Sequence, residues 1–272
     1  MTAKKQVVFC TYSSVYSSIV LDTLLKDKQI DIVAIVNSRR VLSPNYGHFR
    51  GVFEQIRKTG IRYATYLFFV TDAFSWLQPL LRLNNSSLKT VAKIAKERKI
   101  PLYETRDINN KSTIDFISQF TPDYILAAHF NQLIKTDVLA LPKVSCLNIH
   151  PSLLPAYKGV DPVFYAILDS QTDTGVTLHK MSETFDTGEI YSQKVRSISP
   201  NESVFEKNCQ LFLDGAKLAT NWIGLSDSEC IKTPAGSDRY DSWPTVDKIK
   251  VFKKSGNCLI TFSSFLQGIR KE

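Results

Sequence analysis

The 272-residue chain has no C-x-x-C pair among its five scattered cysteines, Cys10, Cys146, Cys209, Cys230 and Cys258. An odd, unpaired set argues against a disulfide framework or a zinc site and for reduced thiols in a cytoplasmic protein. Long apolar runs are also missing. The opening MTAKKQVVFCTYSS holds too short an apolar run for the core of a secretory signal. The most apolar stretch, YATYLFFVTDAFSWLQPLLRL over 63–83, is interrupted by Asp72, Gln78 and Pro79. That excludes a membrane span and predicts a buried helix pair, with an interfacial or dimer-forming surface as the alternative. No internal repeat and no low-complexity segment is found.

What remains is an ordinary globular composition, 43% hydrophobic and 22% charged, enough for one large domain or one domain with an appendage. The formal net charge is +8. Such a surplus suits an anionic small substrate, nucleic acid or an acidic lipid surface. Its basic residues fall in clusters such as KTVAKIAKERK (89–99) and KIKVFKK (248–254); the first reads as a solvated helix face.

Strand-like runs alternate with helical ones. QVVFC (6–10), IDIVAIV (30–36), IPLYET (100–105), DYILAAHF (123–130) and SCLNIH (145–150) read as strands. SSIVLDTLLKD (17–27), SLKTVAKIAKERK (87–99) and STIDFISQF (112–120) carry helical spacing. The alternation predicts an α/β fold with a doubly wound, mostly parallel sheet, whose ligands sit at the carboxyl ends of the strands. From 174 onward, TGVTLHKM and GEIYSQKVRSIS alternate like antiparallel strands, joined by SETFDTG. A long amphipathic helix follows over 203–223, and KSGN within KIKVFKKSGNCLITF (248–262) predicts a hairpin. The main domain is expected over 1–223, with an insertion at about 37–86, followed by a short C-terminal extension over 224–272.

The chemistry concentrates in CLNIHPSLLPAYKG, 146–159. Asn148 and His150 alternate along a strand, so both face one side. An imidazole beside a carboxamide can combine acid–base work with donation to a developing oxyanion. Equally, the His can cap a core edge while the Asn satisfies loop backbone. Asp186 in ETFDTGEI is the carboxylate at hand. Ser152, close to His150, raises a Ser–His–Asp hydrolase, although the chain has no G-x-S-x-G elbow.

LNIHPSLLPAYKG followed by TGVTLHKMSETFDTGEI resembles the N10-formyltetrahydrofolate-dependent formyltransferase family, clearly over about 120–200 and more weakly over 1–36 and 85–120. The resemblance implies a Rossmann-like catalytic domain that moves a formyl group from 10-formyltetrahydrofolate to a primary amine. It implies Asn148, His150 and Asp186 as catalytic residues, with no metal. Asn148 and a protonated His150 would stabilise the oxyanion; Asp186 would hold the imidazole and help remove the amine's proton. The pterin is expected along LAAHFNQLI, at Phe130, Gln132, Leu133 and Ile134, under a loop bearing Ser182, Glu183 and Phe185. Core packing is the alternative for the apolar members, and His129 stands where some relatives have Gly.

Three branches of that family compete. The purine-biosynthetic branch has a Gly-rich phosphate loop where this chain has CTYSSVYSS (10–18); Ser13 and Ser14 at a helix start are the substitutes on offer. The tRNA branch carries a C-terminal domain larger than the stretch after 223. PAYKGVDP is closer to the sugar branch, which makes Ser152, Tyr157, Lys158 and Asp161 candidate substrate contacts. Tyr240 and Trp243 in YDSWPT read as packing anchors. The expectation is therefore a cytoplasmic enzyme acting on a small anionic acceptor, a nucleotide-linked amino sugar. Methionyl-tRNA is the alternative, glycinamide ribonucleotide and a non-catalytic binding module are lesser ones, and a homodimer is open.

Overall fold

In β1 (Lys5–Thr11), Val7 and Phe9 point into one core while Val8 and Cys10 point into another. β4 (Tyr124–Ala128) and β5 (Ser145–His150) alternate in the same way. Strands covered on both faces need near-continuous apolar runs, which is what these sequences supply. The computed structural model describes residues 3–43, 45–77, 88–224 and 239–270.

Together with β2 (Ile30–Ser38), β3 (Leu102–Thr105), β7 (Asp173–Lys180) and β8 (Ile190–Ser197), these strands form one seven-stranded sheet in the order β3-β2-β1-β4-β5-β7-β8. The five strands up to β5 pair in parallel, and β7 and β8 add antiparallel. This is the expected α/β doubly wound, mostly parallel architecture. Helices α1 (Val15–Leu24), α5 (Val91–Arg98) and α9 (Val204–Gly224) cover one face. Helices α6 (Lys111–Ser118) and α7 (Thr136–Leu139) cover the other. Side-chain caps set their starts: Ser14 accepts from the Ser17 amide and Asn110 from the Thr113 amide.

The stretch expected as an insertion folds as α2 (His48–Thr59), α3 (Ile61–Phe68), a π-helical turn (Phe69–Ala73) and α4 (Phe74–Leu77). Tyr63, Tyr66, Val70 and Phe74 bury one side of it, but from 61 to 77 the backbone stays helical throughout. As far as 77 the expected buried helix pair is therefore a single half-buried helical run with a π turn inside it; the remainder, 78–83, lies outside the described residues. Among the described residues no helix is long and apolar enough to cross a membrane.

The C-terminal hairpin expected over 248–262 is not formed. The segment is α10 (Val246–Lys254), a turn, and the start of α11 (Phe262–Gly268). Thr245 caps α10, Ile249 and Phe252 bury at helical spacing, and Gly256 follows with φ 81. The KSGN turn thus ends a helix. Phe252 stacks on Phe164 of α8 (Pro162–Leu168) at 4.6 Å, and β9 (Tyr240–Asp241) pairs with β6 (Lys158–Gly159). The described part of the extension therefore packs into the same core. Trp243 meets Tyr63 at 6.3 Å, whereas Tyr240 stays half exposed beside Phe185.

Helix and sheet approach closely at Gly215 of α9. A Cβ there would stand 2.3 Å from Ile149 Cγ2 and 2.9 Å from Val176 Cγ2. Gly215→Ala is expected to destabilise the fold by about 1–3 kcal/mol through overpacking, read as a lower denaturant midpoint at unchanged slope; an unchanged midpoint would refute this packing.

Candidate active site

β5 ends where β7 returns antiparallel beside it, with Asn148 opposite His179 and His150 opposite Thr177. The loop after β7 then brings Asp186 back over both strands. Asp186 holds a left-handed φ of 55, a conformation that few non-glycine residues adopt. Its Oδ1 lies 3.5 Å from His150 Nδ1 and 3.7 Å from His179 Nε2, and its Oδ2 accepts from the Gly159 amide at 2.9 Å. Asn148, His150 and Asp186 thus meet at the carboxyl end of the sheet, beside a cavity of about 560 Å³.

The two imidazoles are in different states of engagement. His150 Nε2 donates to the Tyr157 carbonyl at 3.0 Å, which turns Nδ1 toward Asp186. His179 donates from Nδ1 to the Lys180 carbonyl at 2.8 Å and accepts at Nε2 from the Asn148 amide at 3.0 Å. Burial pushes His179 down to about 4, against the opposing pull of Asp186, so it is the neutral tautomer that orients Asn148. One Asn148 N–H is committed to His179, which leaves the second available. His179 was missed in the sequence because it lies 31 residues from Asn148; the alternation in TGVTLHKM marks its strand, but only the register marks its partner.

Phe130, Gln132, Leu133 and Ile134 all line the cavity, with Ser182, Phe185 and Asp161. The Gln132 side chain is spent on the scaffold, accepting from the Ile108 amide and donating to Ser38 Oγ, both at 2.7 Å. His129 sits at φ 49, in the left-handed region that favours Gly, and donates from Nδ1 to the Tyr12 carbonyl. Glu183 is turned away, bonded to the backbone and hydroxyl of Thr136.

Other expected contacts are not on the cavity wall. Ser13 donates to Asn37, Ser14 caps α1, and neither Lys158 nor Tyr157 lines the cavity, Tyr157 contributing its carbonyl to His150. Ser152 is fully buried and its hydroxyl donates to the Ala156 carbonyl, not to His150, which removes the Ser–His–Asp alternative.

The insertion supplies the opposite wall. The Tyr63 hydroxyl donates to Asp161 Oδ2 at 2.8 Å, and the Tyr16 and Tyr66 hydroxyls bond at 2.8 Å. Two buried atoms on this wall have no hydrogen-bond partner among the described residues, Asp161 Oδ1 and Gln55 Nε2. Burial pushes the Asp161 carboxyl up to about 6, although Tyr63, the Phe164 amide and Asn208 favour its charged form.

Residues 39–211 match the Formyl transferase family. Methionyl-tRNA formyltransferase of Thermotoga maritima is 36% identical over 113 residues, 42% of this chain and 36% of that protein. The bifunctional polymyxin resistance protein ArnA of Wigglesworthia glossinidia brevipalpis is 35% identical over 123 residues, 44% of this chain and 19% of that protein. The match thus spans less than half the length of either relative. Among solved structures, WlaRD, a sugar 3N-formyl transferase in the presence of dTDP and 5-N-formyl-THF, superposes with a TM-score of 0.56 at 17% identity, covering 96% of this chain and 84% of its own. A phosphoribosylglycinamide formyltransferase from Bacillus halodurans gives 0.55 at 17%, covering 80% and 93%. At such identity the likeness is one of fold.

The raised Asp161 carboxyl has a consequence for stability. Folded Asp161 keeps its proton to about 6 whereas its ordinary value is 3.8, so its contribution is full below 3.8 and is lost as pH rises toward 6. Asp161→Asn escapes that loss. The melting temperature of the variant minus that of the parent should grow between pH 4 and 6 and then level; a pH-independent difference would contradict a buried, proton-holding Asp161.

Proposed function

The chain belongs to the formyl transferase family, and from that premise we propose that it transfers a formyl group from 10-formyltetrahydrofolate to a primary amine in the cytoplasm, with Asn148, His150 and Asp186 as its catalytic residues. The observation that carries this reading is the convergence of those three side chains beside a cavity walled by residues 130–134.

The amine nitrogen attacks the formyl carbon, and the C–N bond to N10 of the folate breaks once the amine's proton has moved to N10. Negative charge builds on the formyl oxygen in between. The free Asn148 N–H donates to that oxygen. His150 Nε2–H, which rests on the Tyr157 carbonyl, is the second donor and turns to the oxyanion as it forms. Asp186 fixes the imidazole through Nδ1 and stands close enough to relay the amine proton, directly or through one water. Phe130, Gln132, Leu133 and Ile134 wall the pterin, with Ser182 and Phe185 on the covering loop.

For the acceptor we favour a nucleotide-linked amino sugar. Asp161 Oδ1 can accept from a ligand hydroxyl and Gln55 Nε2 can donate to one, so two orphaned polar atoms would gain the partners their burial calls for. The similarity to methionyl-tRNA formyltransferases and the +8 charge favour a second reading, an aminoacylated tRNA.

Single-turnover assays test the site. His150→Ala, Asn148→Ala and Asp186→Ala should each slow formyl transfer by about 10²-fold or more; near-parental turnover by His150→Ala would remove it from the mechanism. A panel of dTDP- and UDP-linked amino sugars beside methionyl-tRNA tests the acceptor. Asp161→Asn should raise the KM for the sugar about tenfold while leaving the affinity for 5-formyltetrahydrofolate unchanged. Turnover of the tRNA with none of the sugars would select the second reading.

A further inference from the structure

Helix α2 is packed inside out. A helix on a protein surface ordinarily turns its apolar stripe to the core. Here the buried face is Gly51, Gln55 and Thr59, one residue in four, and Gly51 sits so close to the body that a Cβ would stand 2.7 Å from Val41 Cβ. The opposite face presents Phe49 at 90% and Phe53 at 66% exposure. The helices that follow continue this surface with Ile61 at 65% and Trp76 at 73%, the latter set edge-on to Phe68 at 5.5 Å. Large apolar side chains left exposed on neighbouring helices are the kind of surface that meets a partner.

Cations border it. Arg50, Arg57 and Lys58 are exposed on α2, Arg57 paired with Glu54 at 2.8 Å and Arg50 lying over the Tyr46 ring at 4.8 Å. Where α2 passes into α3, a groove of about 480 Å³ opens against α10, lined by Ile61, Arg62, Lys250, Lys253 and Lys254. Lys250 pairs with Asp247 at 3.0 Å, while Arg62, Lys253 and Lys254 form no ion pair with a carboxylate among the described residues. The surface therefore combines protruding aromatic side chains with a basic groove.

We propose that the face formed by α2, α3 and α10 docks on an anionic lipid bilayer, Phe49 and Phe53 entering the headgroup boundary and the α10 groove taking lipid phosphates. Aromatic side chains on one part of a surface and Lys and Arg beside them are the two signals that together hold a protein at such an interface. The charge argues for this occupant over a second copy of the chain, which carries the same net charge of +8 and offers the basic groove no anionic counterpart of its own. The exposed aromatics argue for it over a nucleic-acid backbone, to which phenylalanines bordering a cation groove add little. Docking has a consequence for the site: Val52, Phe68 and Trp76 line the catalytic cavity and are also exposed at this surface. The cavity would open at the lipid–water boundary, whichever amine is its acceptor.

The test is flotation of the full chain with vesicles of phosphatidylcholine alone or mixed with phosphatidylglycerol. Binding should be at least about tenfold tighter to the anionic vesicles and should weaken as salt rises. The Phe49→Ser, Phe53→Ser double variant should lose about tenfold of that affinity with an unchanged melting temperature, because both side chains already face solvent. Lys253→Glu, Lys254→Glu should do the same. Equal binding to both vesicle types, or binding indifferent to the two phenylalanines, would overturn the proposal. So would a dimer in sedimentation velocity that the double variant dissolves, or RNA binding that displaces the vesicles and ignores the phenylalanines.

Discussion

One carboxylate ties the site together. Asp186 reaches its place only because β5 and β7 run antiparallel and the loop between β7 and β8 accepts a left-handed residue there. Oδ1 then faces both imidazoles and Oδ2 holds the Gly159 amide. That second bond fixes the loop from Tyr157 to Asp161. The loop in turn supplies the carbonyl on which His150 rests and the carboxylate that Tyr63 holds. Removing Asp186 would release the imidazole, the acceptor loop and the insertion's anchor together. This linkage is why the three residues are read as one unit.

The parallel sheet was legible from apolar runs of strand length separated by helical spacing, and the Asn148–His150 pair from an i, i+2 step at a strand end. What the sequence concealed depends on register or on contacts across the chain. His179 joins the site because it pairs with Asn148, and Gln55 and Tyr63 join it because the insertion folds back over Asp161. Neither relation leaves a local pattern. Ser13, Ser14 and Lys158 were drawn in by the resemblance of their loops, yet Ser13 donates to Asn37, Ser14 caps α1, and Lys158 does not line the cavity. The C-terminal misreading is instructive: KSGN suits a hairpin turn, but the Thr245 cap and the Ile249–Phe252 spacing commit the preceding residues to a helix first.

The insertion has two faces that answer different demands. Inward, its tyrosines and Gln55 complete the cavity wall; outward, Phe49 and Phe53 carry the apolar side of α2 into solvent. Packing a helix by its glycine and polar residues gives up part of its available apolar burial, which the proposed lipid contact would recover. It also links the cavity to the surface.

The central claim is that Asn148, His150 and Asp186 act as one unit on formyl transfer, and a double-mutant cycle tests it most directly. Single-turnover rates with 10-formyltetrahydrofolate and a competent amine would be measured for His150→Gln, Asp186→Asn and the double variant. The account predicts a double variant no more than about threefold slower than the slower single one, since groups that act together are lost together. A double variant whose losses multiply would show two independent groups and contradict the shared role of Asp186.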